Sequence, residues 1–293
     1  MVDFLLILAV RAFQGFLRML PERPCCRIGA FIGWLGYLFL KRRRNVAISN
    51  AMRISPGISR EAADRVARAC FEKLGINFIE SLLFQYLKKS DLAARFRLEM
   101  RGGVREALMG DRGALALGFH YSNWEIMGVA SHLLGREIVA LARPLKGHPG
   151  LNAFLNDLRT GTGLTIIPNR ETARSVMRLL KENRMVAFLG DQREKRSKAV
   201  WVELFDHKVP TSKGIVAIAM KTGAPVIPIY SIREGFLRYT VVCEEPVLID
   251  RTGGNLEELI YRNARRINAV LERIVAEHPE EWFLVHRRFG RDT

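Results

Sequence analysis

The chain has 293 residues, enough for one large α/β domain or two small ones, and its 48% hydrophobic content excludes general disorder. A net charge of +16, from 46 Lys and Arg against 30 Asp and Glu, favours anionic partners such as phospholipid headgroups, phosphorylated substrates, acidic carrier proteins or nucleic acid, without choosing among them. The four cysteines (Cys25, Cys26, Cys70 and Cys243) include no C-x-x-C and exclude a disulfide framework, so reduced thiols are expected.

The first element is the apolar stretch 4–20, FLLILAVRAFQGFLRML. Arg11, Gln14 and Arg18 fall on one stripe of a helix, against an otherwise apolar surface. The uninterrupted apolar run, 4–10, is far shorter than the ~20 residues a bilayer span needs, so the helix is expected to lie in the interface with its arginines reaching phosphates, a tilted span with snorkelling arginines being the alternative. Asp3 stands where a cleaved secretory signal would be basic, and no small-x-small site follows. A second apolar run, 28–40, places Gly29, Gly33 and Gly36 on one face suited to close helix packing. KRRR at 41–44 follows directly, as suits an anionic cytoplasmic leaflet. Residues 1–45 are therefore expected to form an N-terminal membrane-associating helical region, and 46–293 a catalytic α/β domain.

Residues 59–87 carry helical periodicity, with Ser59 as N-cap and Glu61 in the first turn. From about residue 100, short β runs alternate with helical stretches. Strands are predicted at 114–119, 137–142, 164–168, 185–190 and 225–232, with helices at 123–134, 150–159, 171–183 and 212–222. Stretches 199–205 and 236–244 add candidate antiparallel strands, and 255–277 reads as a final long helix. The alternation predicts an α/β fold with a mainly parallel mixed sheet flanked by helices.

In such folds chemistry gathers beyond the carboxyl ends of strands. His120 follows the first predicted strand, Arg143 the second, Asp191 and Gln192 the fourth and Arg233 the fifth; Arg159, ending a helix, reaches towards the same mouth. Histidine has a suitable unperturbed pKa for removing a hydroxyl proton, and a carboxylate on its other ring nitrogen fixes the tautomer. His120 at a strand end and Glu125 one turn into the next helix bring such groups together, with Asn123 as a helix cap between them. Three rivals stand beside this pair. A metal site lacks H-E-x-x-H, C-x-x-C or a tight His cluster, leaving only His132 and His148 to be recruited by folding. A serine hydrolase built on Ser122 lacks G-x-S-x-G. The third rival is a histidine that merely packs. GTG at 161–163 precedes a strand and makes no dinucleotide loop, and HRRFGR at 286–291 has no accompanying RNA- or DNA-binding signature.

GFHYSNWE (118–125) resembles the block around the His-x4-Asp/Glu motif of the lipid A late acyltransferases, the lauroyl and myristoyl transferases of Gram-negative bacteria. Related acyltransferases of mannosylated inositol lipids share it. Further similar blocks follow in family order: FEKLGINFIESL (71–82), ARPLKGHPGLNAFLNDLRTGTG (142–163), FLGDQ (188–192), VPTSKGIVAIAMKTGAPVIPIYSIRE (209–234) and HPEEWFLVHRRF (278–289). Where the family often has Phe or Leu and then a small residue after the histidine, this chain has Tyr121 and Ser122, which leaves the subfamily and acceptor open.

The resemblance implies a glycerol-3-phosphate acyltransferase-like fold. It also implies transfer of an acyl chain from an acyl carrier protein or coenzyme A thioester to a hydroxyl of a membrane glycolipid, typically a lipid A precursor. The place implied is the cytoplasmic face of the inner membrane, against anionic lipid. The expected mechanism is direct: His120 takes the hydroxyl proton, Glu125 orients the ring, and no covalent acyl-enzyme, cofactor or metal takes part. Asn123, Arg143, Arg159, Asp191 and Gln192 are the substrate-contacting candidates. Arg159 or backbone N–H groups serve the oxyanion, Arg143 and Arg159 clamp phosphates, and Asp191 and Gln192 shape the pocket. No nucleic acid is expected. Two other classes are a non-catalytic basic membrane- or nucleic-acid-binding protein and a lipid hydrolase using the same pair with water.

Overall fold

In the computed structural model, residues 2–142, 145, 147–168 and 173–290 are described. Four helices open the chain: α1 (Val2–Arg18), α2 (Glu22–Phe39), α3 (Lys41–Ile54) and α4 (Arg60–Phe84). Then come α5 (Lys89–Arg95), β1 (Phe96–Met100), α6 (Val104–Met109), β2 (Leu115–Gly118), α7 (Val129–Leu134), β3 (Ile138–Ala142), α8 (Pro149–Gly161), β4 (Leu164–Pro168), α9 (Ala173–Lys181) and β5 (Met185–Leu189). The hairpin β6 (Ala199–Leu204) and β7 (His207–Ser212) precedes α10 (Gly214–Thr222), β8 (Val226–Gly235), β9 (Arg238–Cys243) and α11 (Leu256–Glu277).

The main sheet has the order β1-β9-β8-β2-β5-β3-β4. The block β8-β2-β5-β3-β4 is parallel; β9 pairs antiparallel with β8 and parallel with β1. This is the mainly parallel mixed sheet that the alternation predicts. Its central strand shows why the runs are apolar throughout. Leu115 and Leu117 enter one core, while Ala114 and Ala116 enter the other. A parallel sheet covered on both faces has no polar side.

The prediction at 236–244 becomes β9, but 199–205 leaves the main sheet and pairs with β7 in a separate two-stranded unit. The predicted helix 123–134 is broken into a 3-10 turn, Trp124–Ile126, and the short α7. Gly128 lies at the break, where an added Cβ would meet Thr162 Oγ1 at 1.9 Å. β1 escapes the sequence reading because only Phe96 is fully buried and Arg97 and Glu99 interrupt the apolar pattern.

The N-terminal helices pack along α4. Ser59 caps α4 by accepting from the Ala62 N–H at 3.2 Å. The glycine face of α2 is used inside the protein: a Cβ on Gly33 would lie 2.0 Å from the Phe71 carbonyl, and one on Gly75 of α4 would lie 2.0 Å from the Gly29 carbonyl. Basic residues 41–44 open α3, with Arg43 donating to the Val285 carbonyl at 3.2 Å and Arg44 over the Tyr37 ring.

The polar stripe expected on α1 is not a single outward face. Gln14 is buried and donates to the Leu82 carbonyl at 3.0 Å, and Arg18 lies over the Tyr86 ring. Ile7, Val10, Phe13 and Leu17 face the protein, while Phe4, Leu5, Leu8, Phe16 and Met19 are exposed. The helix is thus apolar on both sides, which is why a single polar stripe misreads it. Among the described residues, no helix is long and apolar enough to cross a membrane. All four cysteines are free; Cys25, Cys70 and Cys243 are buried.

Candidate active site

Strand register brings the central residues together. β2 and β5 are adjacent and parallel, with Gly118 opposite Leu189. Two residues further along each strand stand His120 and Asp191. The ladder continues past the strand ends, as Gly190 N–H donates to the Gly118 carbonyl at 3.0 Å. The approach is close there: a Cβ on Gly190 would meet Leu117 Cδ1 at 2.6 Å and push that side chain aside.

The Asp191 carboxylate closes around His120. Its Oδ1 lies 2.7 Å from His120 Nδ1, and its Oδ2 accepts from the His120 backbone N–H at 2.8 Å. Oδ2 also accepts from Trp282 Nε1 at 2.8 Å. Asp191 is buried, and burial opposes its ionisation, but the charge of His120 and the hydrogen bonds from His120 and Trp282 hold its pKa below the ordinary value. A carboxylate on Nδ1 keeps the neutral-ring proton there and leaves the Nε2 lone pair outward. Gln192 meets that lone pair: its exposed amide lies 3.0 Å from Nε2, so Nε2 accepts and the amide donates.

Aromatic rings frame the imidazole. Phe283 stacks on it at 5.8 Å between centroids and Trp124 meets it edge-on at 5.1 Å. The C-terminal segment docks as a short antiparallel bridge, Tyr121 with Trp282, and Phe283 N–H donates to the His120 carbonyl at 2.9 Å. Neighbouring His286 accepts from the Arg193 N–H at 3.1 Å, and burial depresses its pKa.

The pairing expected between Glu125 and His120 is replaced by another. Arg159, from α8, donates Nε and Nη2 to Glu125 at 2.8 and 2.9 Å in a two-pronged bond. This bond holds the guanidinium in its charged form against the opposing pull of burial. Both side chains are about one-third exposed, at 33% and 31%. The physical reason for the replacement is topological. Glu125 lies in a tight 3-10 turn rather than a regular helix, while the β5 end delivers Asp191 directly to Nδ1.

Asn123 makes no helix cap; its side chain is buried, with its amide on Glu80 Oε2 at 3.0 Å. This removes it from the surface a substrate would touch. Arg233 lies within β8, and its side chain is 10% exposed and ion-paired with Glu80 rather than standing at the mouth. Arg143 lies outside the described residues. His132 packs beside Gly163, and His148 bonds Asp3 at 2.8 Å. Among the described residues, no group of three or more His, Cys, Asp or Glu converges as a metal site. Within the described part of the basic stretch, 286–290, Arg288 is no part of an open stripe: it is 1% exposed and bonds the Pro210 carbonyl and the Thr211 hydroxyl, both at 2.7 Å.

Residues 2–291 match the model of the family described as bacterial lipid A biosynthesis acyltransferase. The chain belongs to this acyltransferase family. Similar proteins include the lipid A biosynthesis palmitoleoyltransferase of Escherichia coli (strain K12), 24% identical over 277 residues, and the lipid A biosynthesis acyltransferase of Shigella flexneri, also 24% identical. The lipid A biosynthesis lauroyltransferase of Escherichia coli (strain K12) is 23% identical over 282 residues. Each alignment covers 92% of this chain and 86% of the relative. The chain is therefore an acyltransferase, and the non-catalytic binding class falls away.

Sequence reasoning missed two parts of this candidate site. Trp282 and Phe283 belong to the C-terminal block HPEEWFLVHRRF, in which no spacing or period assigns them a role. Glu80 and Asn77 stand in the helix ahead of the motif, where a buried Glu in an apolar stretch, INFIESLLF, is the available signal.

Proposed function

We propose that this acyltransferase moves a fatty acyl chain from an acyl carrier protein or coenzyme A thioester to a hydroxyl of a lipid A-type glycolipid, with His120 as general base. The observation that carries this reading is the polarised imidazole: a buried carboxylate on Nδ1, and an Nε2 lone pair that already accepts a hydrogen bond from Gln192. The acceptor hydroxyl takes the place of the Gln192 amide and donates to Nε2. Its oxygen attacks the thioester carbonyl as the proton passes to Nε2. Asp191 stabilises the imidazolium that forms. Collapse of the tetrahedral intermediate expels the thiolate, which takes the proton back from the imidazolium and leaves as thiol. No covalent acyl-enzyme is required, because the thioester is already activated.

Glu125 and Arg159 act beside this centre. Two donors of Arg159 are taken by Glu125, so the guanidinium is held in a fixed plane next to the Trp124 turn. A fixed cation there favours the oxyanion or an acceptor phosphate. The outer face of α1 supports a seat for the enzyme on the inner membrane. Phe4, Leu5 and Leu8 enter the apolar boundary, and the basic residues 41–44 meet anionic headgroups at the cytoplasmic face.

The test is transfer of a radiolabelled acyl chain from each thioester donor to a lipid A precursor in detergent micelles, followed by chromatography of the lipid. Wild type should acylate the lipid, while His120→Ala should lose at least about 10³-fold in rate and keep a cooperative melt. Near-normal transfer by His120→Ala ends the proposal that this histidine is the base.

A further inference from the structure

The loop carrying His120 is held from behind by α4. Asn77 donates Nδ2 to the Ser122 carbonyl at 2.6 Å. Asn123 donates to Glu80 Oε2 at 3.0 Å and to the Asn77 carbonyl at 3.3 Å, and the Ser81 hydroxyl donates to Asn123 Oδ1 at 3.3 Å. Glu80 has 0% exposure. Its Oε1 accepts from Arg233 Nη1 and from the Leu237 N–H, both at 2.7 Å, and the Tyr239 hydroxyl donates to Oε2. Arg233 Nη2 donates to Asn77 Oδ1, closing the network on itself.

The target of this network is a short piece of unusual backbone. Ser122 sits at φ +52°, a left-handed conformation that a non-glycine residue rarely adopts. Its N–H donates to the Glu281 carbonyl at 2.8 Å while its own carbonyl accepts from Asn77, so it is pinned from both sides. A rare conformation persists where its surroundings over-determine it. A buried ion pair is a poor route to stability, because well-packed apolar residues of similar volume often serve as well. The arms of this one reach Ser122 and Asn123, two of the three residues between His120 and the Trp124–Glu125 turn.

We infer that Glu80 is a positioning residue of the acyl transfer, acting through Asn123 and Asn77. The inference rests on the reading of His120 as the base. Glu80 touches no reacting atom. It sets the path of residues 120–125 so that His120 meets Asp191 while Glu125 meets Arg159, giving both pairs one fixed spacing.

The test compares Asn123→Ala with Asn263→Ala in steady-state acyl transfer and thermal melting. Asn263, on α11, is also fully buried and exchanges two hydrogen bonds with the Asp250 backbone, so it controls for the loss of a buried amide. Asn123→Ala should lower kcat about 10²-fold with KM for donor and acceptor within about threefold, because a small displacement of a catalytic group acts on the transition state. Asn263→Ala should lose similar thermal stability and keep kcat within about threefold of wild type. A folded Asn123→Ala with wild-type kcat, or an equal kcat loss in Asn263→Ala, overturns the inference. Should Asn123→Ala melt below the assay temperature, Asn77→Asp decides. It keeps an acceptor for Arg233 and loses the donor to Ser122, so it should show the same selective kcat loss, and a normal kcat overturns the inference. An active His120→Ala sinks the base itself, whereas an inactive His120→Ala beside a fully active Asn123→Ala sinks the positioning role alone.

Discussion

The two carboxylates at the mouth of the sheet are held in opposite ways. Asp191 is 2% exposed, fixed by three hydrogen bonds, and reaches His120 from the adjoining parallel strand. Glu125 is 33% exposed, lies in a single 3-10 turn and faces Arg159 on a helix of the surface layer. The difference teaches which group can do which work. A buried carboxylate on Nδ1 stabilises charge on the ring where water does not screen it, whereas a half-exposed ion pair is weakened by solvent and suits orientation of a substrate or a cation.

The sharpest way to break this comparison is to neutralise each carboxylate in turn and measure acyl transfer. Asp191→Asn presents an amide whose NH2 favours the wrong ring tautomer, so kcat should fall about 10³- to 10⁴-fold, as when the carboxylate of a catalytic triad is amidated. Glu125→Gln keeps one acceptor for Arg159 and should cost only about 10-fold, mostly through placement of Arg159. Equal losses in the two variants would return Glu125 to the role of ring partner and remove the distinction drawn here. A larger loss in Glu125→Gln would reverse it.

The same comparison shows what could be read from the chain alone. β3, β4, β5 and α11 were legible because long apolar runs and helical periodicity report burial locally. His120 was legible as a group at a strand end, and Asp191 and Gln192 as residues at the end of a neighbouring strand. Their pairing was not legible, because it depends on β2 lying beside β5, although β3 and β4 come between them in sequence. The nearer carboxylate, Glu125, was the natural partner by spacing and was displaced by a contact 71 residues away. The glycines of α2 were legible as a packing face, but their partner, Gly75 of α4, was not. Trp282 shows a further limit: no period or spacing predicts that an indole N–H will close on a carboxylate from the far end of the chain.

The smallest effect concerns stability rather than rate, and it tests the Asp191 side of the comparison independently of substrate. Burial raises the pKa of Asp191, but the interactions with His120 and Trp282 outweigh it, so the native value lies below the ordinary 3.8. A carboxylate depressed in the native state adds stability that is complete above its unfolded pKa and lost as pH falls through the native one. Wild type should therefore melt above Asp191→Asn at neutral pH. The gap should hold down to about pH 5, then narrow as acid protonates the carboxylate below the ordinary Asp range. Glu125→Gln, which removes a half-exposed ion pair, should melt within a few degrees of wild type throughout. Melting curves of the three proteins between pH 3 and 8 measure this. A gap for Asp191→Asn that widens on acidification would mean that Asp191 gains nothing from ionisation in the folded chain, and that its hydrogen bonds to His120 and Trp282 hold a neutral acid instead of the carboxylate the mechanism needs.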